Sequence, residues 1–162
     1  MRKPPGISRR RALGALGALG AVAAAGRLPA SAAAAQPVGV QEPVGEALKR
    51  LFGGRPLQDG AGVVRLDLPA IAENGALVPV SVEIDGPMTA GHYFKHIYVI
   101  ADRNPIPVVT RATFTPEAGR AVVGATIRLA ETGDVRAIAE RSDGTLLQVK
   151  REVKVTVSGC GV

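Results

Sequence analysis

The stretch Leu147-Gln148-Val149-Lys150-Arg151-Glu152-Val153-Lys154-Val155-Thr156-Val157 alternates apolar and polar residues almost without a break. On an extended chain, successive side chains point to opposite faces. Leu147, Val149, Val153, Val155 and Val157 therefore share one face, and Gln148, Lys150, Glu152, Lys154 and Thr156 share the other. Arg151 is the one interruption of the apolar phase. The period of two marks a half-buried strand.

Working back from that strand, the same period recurs. Ser142-Asp143-Gly144-Thr145 is a hairpin-type turn that joins it to Val135-Arg136-Ala137-Ile138-Ala139. Before these, Val123, Ala125, Ile127 and Leu129 mark an inward face, and Val108 to Thr115 follows Asn104-Pro105. Phe94 to Ala101 is apolar on both phases and reads as a central strand, with one face for the core and the other for a neighbouring molecule. Val78, Val80, Val82 and Ile84 alternate with Leu77, Pro79, Ser81 and Glu83, and the period of two begins near Val63. About seven short strands with no long helix between them predict an all-β, immunoglobulin-like antiparallel β-sandwich. One short helix is expected at about 43–52. Val44, Ala47, Leu48 and Leu51 fall at helical spacing there, Pro43 suits the first turn and Gly53-Gly54 supplies the stop. Its apolar face is expected on the sheets or on a partner.

The first 35 residues read as an export signal. Ser8-Arg9-Arg10-Arg11 precedes an apolar run from Ala12 to Ala25, and small residues follow through Ala33-Ala34-Ala35. This is the pattern of a twin-arginine signal, cut before Gln36 or after Ala32. Arg27 closes the apolar run short of the ~18–20 residues that a membrane span needs. The chain carries 20 Lys+Arg against 14 Asp+Glu, a formal charge of +6. Arg2, Lys3, Arg9, Arg10, Arg11 and Arg27 belong to the signal, so the remaining domain is near neutral. Nucleic-acid binding, which needs a basic stripe that stays on the folded protein, is excluded. Residues 36–157 then form one domain, and 158–162 a flexible arm. With no tryptophan, three phenylalanines and two tyrosines, its core must be built from Val, Leu, Ile and Ala.

That arm is Ser158-Gly159-Cys160-Gly161-Val162, with the only cysteine of the chain between two glycines. Glycine frees the backbone on both sides of the thiol. Fully extended, the five residues after Val157 reach about 17 Å. If the register of the preceding strand persisted, Cys160 would fall on the polar phase with Lys154 and Thr156. A cysteine third from the end does not fit the prenylation pattern, which needs it fourth. An unpaired cysteine in an exported protein points to a reactive or carrier thiol, or to an intermolecular disulfide. A catalytic nucleophile keeps a base within reach. None is visible beside Cys160, which suits a handle on which other enzymes act.

His92 and His96 are the only histidines. On one strand they would share a face about 13 Å apart, too far to share a metal. Two histidines and a tail cysteine make a thin ligand set for zinc or copper, so no metal site is expected. Asp67, Glu73, Glu83, Asp85 and Asp102 are scattered, with no pair placed for acid–base work. No cofactor motif is present, and the sequence reads as a non-enzyme.

Taken together, several motifs resemble the SoxY family of the sulfur-oxidising Sox system. They are the twin-arginine signal, Leu51-Phe52-Gly53-Gly54, Ile71-Ala72-Glu73-Asn74-Gly75-Ala76-Leu77-Val78-Pro79-Val80, Asn104-Pro105, Phe114-Thr115-Pro116, Val135-Arg136-Ala137, Ser142-Asp143-Gly144 and Val153-Lys154-Val155-Thr156-Val157. The tail resembles the family's Gly-Gly-Cys-Gly-Gly ending, with Ser158 and Val162 in place of its outer glycines. The resemblance implies a periplasmic carrier whose Cys160 holds a sulfur substrate such as thiosulfate or sulfide. It also implies a heterodimer with a SoxZ-like subunit. The partners that act on the cysteine would be a haem protein (SoxXA), a hydrolase (SoxB) and, where present, a sulfane dehydrogenase (SoxCD). The competing reading is an exported interaction module whose Cys160 only links subunits, for example as a disulfide homodimer.

Overall fold

The computed structural model describes residues 39–157. The helix α1, Val44–Phe52, starts after Pro43 and ends at Gly53, whose φ of 62° is the left-handed conformation that glycine tolerates best. The Gly53 amide closes the last turn by donating to the Lys49 carbonyl at 2.8 Å. The helix terminators read from the sequence are thus the ones used.

Nine strands follow: β1 Leu57–Asp59, β2 Val64–Asp67, β3 Ile71–Ala72, β4 Val78–Ile84, β5 Phe94–Ala101, β6 Val108–Thr113, β7 Ala121–Ile127, β8 Gly133–Arg141 and β9 Leu146–Val155. One sheet runs β1-β9-β8-β5-β6, with β3 also on β9, and the other runs β2-β4-β7. The expected all-β sandwich is the observed fold. It has two strands more than the sequence predicts, β1 and β3, and both pair with β9 in parallel. At three and two residues they are too short to carry a period, so only their pairing reveals them.

The sandwich interior is filled from both sheets. Val78, Val80, Val82 and Ile84 of β4 meet Phe94, Ile97 and Val99 of β5 and Val135, Ala137 and Ala139 of β8. The β8–β9 hairpin turns where expected: Gly144 has φ 90°, and the Thr145 amide donates to Asp143 Oδ1 at 2.8 Å.

A second apolar cluster lies on the other face of the larger sheet. Ala47, Leu51 and Phe52 of α1 pack on Tyr98, Ile100, Val108, Ile138 and Leu146. The Phe52 ring meets Tyr98 edge-on at 5.1 Å between centroids. This explains why β5 is apolar on both phases, and it corrects the expectation of a neighbouring molecule there: the chain's own helix covers the second face. Both helix ends are tied down. The Glu42 amide donates to Pro105 O at 3.1 Å, and Arg55, just past the helix, donates to Glu140 Oε1 on β8 at 2.9 Å.

Candidate functional site

The strand that the sequence makes decisive is also the one that leads to the candidate thiol. β9 ends at Val155, and the two residues after it are still held by hydrogen bonds. The Lys154 amide donates to Ala70 O at 2.9 Å, the Val155 amide to Thr132 Oγ1 at 2.9 Å, and the Thr156 amide to Ala72 O at 3.0 Å. Thr156 Oγ1 donates to Glu73 O at 2.9 Å, and Val157 O accepts from the Gly75 amide at 2.8 Å. The anchoring loop is itself braced, because the Ala76 amide donates to Asn74 Oδ1 and the Leu129 amide to Gly75 O. Val157 is therefore a fixed point on the surface, three residues before Cys160. Ser158, Gly159, Cys160, Gly161 and Val162 lie outside the described residues, as do residues 1–38 with the twin-arginine segment.

The strand register does not carry the polar-phase expectation as far as Cys160. Val153 is fully buried, Val155 is half-buried, and Val157, of the same phase, is 62% exposed. The alternation fails because β9 runs out beyond the core that gave it meaning. Arg151 interrupts the phase for a different reason. It is exposed at a cleft of about 570 Å³ between the sheet edges, where Arg65, Glu83, Arg120 and Lys150 also lie.

The histidines are not brought together. His92 is exposed in a turn closed by backbone hydrogen bonds with Thr89, and β5 begins only at Phe94. The idea of one strand face for both does not hold. His96 lies on β5 with Nδ1 3.1 Å from Thr113 Oγ1. Burial, and then the Arg111 and Lys95 cations, push its pKa below the ordinary histidine value, which keeps the ring neutral at physiological pH.

The acidic residues have structural work. Glu83 pairs with both Arg65 and Arg120, and Asp102 takes Arg136 in a two-pronged pair at 2.6 and 2.5 Å. Among the described residues, no group of three or more His, Cys, Asp or Glu could hold a metal ion. Nor is any helix among them long and apolar enough to cross a membrane. Two features of the root were not read from the sequence. The short β3 was missed, and so were the exposed apolar residues beside it, Ile71 and Leu77. A single exposed aliphatic residue has no local signal that separates it from a core residue.

By class, this is an immunoglobulin-like sandwich that delivers the end of its last strand to the rim of the molecule. The family profile described as "Sulfur oxidation protein SoxY" matches residues 48–160, ending on Cys160. Among solved structures, the sulfur carrier protein SoxY from Chlorobium limicola f thiosulfatophilum is 30% identical. That match covers 70% of this chain and 96% of the other, with a TM-score of 0.59. Superoxide reductase (neelaredoxin) from Ignicoccus hospitalis is 22% identical over 57% of this chain and 80% of its own, with a TM-score of 0.51. A putative superoxide reductase from Thermotoga maritima is 19% identical over 62% and 93%, with a TM-score of 0.50. At these identities the two reductases share the fold alone. No curated protein sequence matches the chain. The chain belongs to the SoxY family, the sulfur-carrier component of the periplasmic Sox system, which works as a SoxYZ complex.

Proposed function

We propose that the protein carries sulfur intermediates covalently on Cys160 and presents them to partner enzymes without being an enzyme itself. The observation that carries this reading is the family match, which runs without a break through the fixed strand end and onto Cys160. The strand holds Val157 in place, and the glycines on either side of the thiol leave its adduct sterically open. Residues 158–162 serve as the arm, and residues 1–35 as the twin-arginine signal that takes the domain to the periplasm. A SoxZ-like subunit is the standing partner.

In this reading, the Cys160 thiolate attacks the outer sulfur of thiosulfate. The new S–S bond leaves two electrons, which the haem of a SoxXA-like partner accepts. Water then attacks the sulfone sulfur in a SoxB-like hydrolase. Sulfate and protons leave, and the S–S electron pair stays on the carrier as a persulfide. A SoxCD-like dehydrogenase, where present, oxidises that remaining sulfur. Every bond made or broken is on the adduct, so the domain needs no acid or base of its own.

The test is intact-protein mass spectrometry of the exported protein before and after reductant, combined with turnover of the reconstituted system. A reductant-labile sulfur adduct mapped to Cys160, and loss of thiosulfate-dependent turnover in a folded Cys160→Ser variant, are expected. Free thiol and disulfide-linked homodimer alone, after incubation with thiosulfate and the partner enzymes, would overturn the proposal in favour of a linker.

A further inference from the structure

The described residues expose five large aliphatic side chains, and three of them gather at the root of the arm. Ile71 is 58% exposed, Leu77 68% and Val157 62%. Their backbones are locked to one another: Ile71 pairs with Lys154, Ala72 pairs with Val155, and Gly75 holds the Val157 carbonyl. Strand spacing puts all three within about 10 Å along this edge. None belongs to either core cluster, so the fold does not require them to be apolar.

The tether decides what covers them. From Val157 to Cys160 there are three residues, which span at most about 11 Å when fully extended. Any cleft that receives the sulfur group on Cys160 must therefore bring its mouth to within about 11 Å of Val157. An enzyme cannot reach the thiol without its rim meeting Ile71 and Leu77. We infer that Ile71, Leu77 and Val157 form an apolar collar on which the cleft rim of each arm-receiving enzyme docks. The inference rests on the carrier reading of Cys160. The contact is transient and shared, so it suits a small, rigid, non-directional patch better than a set of ion pairs that each enzyme would have to match.

The experiment uses the full carrier with its partner subunit and one purified arm-receiving enzyme. The double variant Ile71→Ser/Leu77→Ser is compared with wild type and Cys160→Ser. The expected result is a rise of about tenfold or more in KM for the carrier. The kcat, the thermal midpoint and the rate of Cys160 with a small aromatic disulfide should stay unchanged. Inserting six Gly/Ser residues before Ser158 in the double variant should lessen the defect, because a longer tether no longer forces the rim onto the collar. An unchanged KM beside an inactive Cys160→Ser variant would overturn the collar and leave the carrier reading standing. Failure of the double variant to assemble with its partner subunit would overturn it too, assigning the patch to the permanent interface. Turnover retained by Cys160→Ser would remove the carrier reading, and the collar with it.

Discussion

Glu140 is the one buried charged residue of the described core, 7% exposed on β8. Its carboxylate accepts from Arg55 at 2.9 Å and lies 3.6 Å from Lys95 Nζ. Burial works to raise its pKa, but the Arg55 hydrogen bond and the Arg55 and Lys95 charges outweigh it, and the net shift is downward. A folded pKa held below the unfolded one contributes stability above the unfolded value of about 4.3, which is lost as pH falls through the folded value. Glu140→Gln keeps the shape but leaves two cations without their carboxylate. At pH 7 it is expected to cost about 1–3 kcal/mol. The deficit should narrow as pH falls below about 4.3, which urea midpoints at pH 7 and pH 3 would show. A deficit of equal size at both pH values would mean that the charge is immaterial. In the sequence Glu140 was one acidic residue among many, because its partner Arg55 is 85 positions away.

At the scale of elements, α1 turns a two-faced sheet into a closed structure. Its intrinsic helix tendency is modest, with Gly45 inside it and nine residues in all. Tertiary packing of Ala47, Leu51 and Phe52 supplies the stability that propensity does not. Phe52, 3% exposed and edge-on to Tyr98, is the largest of the three. Phe52→Ala is expected to lose about 3–5 kcal/mol in a denaturant titration. It should also bare Tyr98 and Ile138, read as faster hydrogen exchange in β5 and β8. A loss under 1 kcal/mol would mean that the helix is dispensable to the sheet.

At the scale of the whole molecule, the sandwich is a rigid base that sets where a short tether starts. Reach is then a matter of residue count. Deleting Ser158-Gly159 cuts the span from Val157 to Cys160 from about 11 Å to about 4 Å. On the carrier reading, enzymatic turnover should fall by about a hundredfold or more, since small misplacements of a reacting group are costly. Cys160 should still react with a small disulfide reagent. Retained turnover would show that the arm does not need its length.

The chain by itself determined the alternating strands β4, β7 and β9, the two-faced β5, the β8–β9 turn and the caps of α1. Each is written in a window of a few residues, as a period, a turn residue or a terminator. The tail cysteine was equally legible as a candidate site, because its isolation and its glycines are local facts. Only the tertiary structure decided that α1 covers the second face of β5, that β1 and β3 run parallel to β9, and that Ile71, Leu77 and Val157 meet at the root of the arm. These depend on which distant segments pair, and a period of two records that a residue faces inward or outward without recording what it faces.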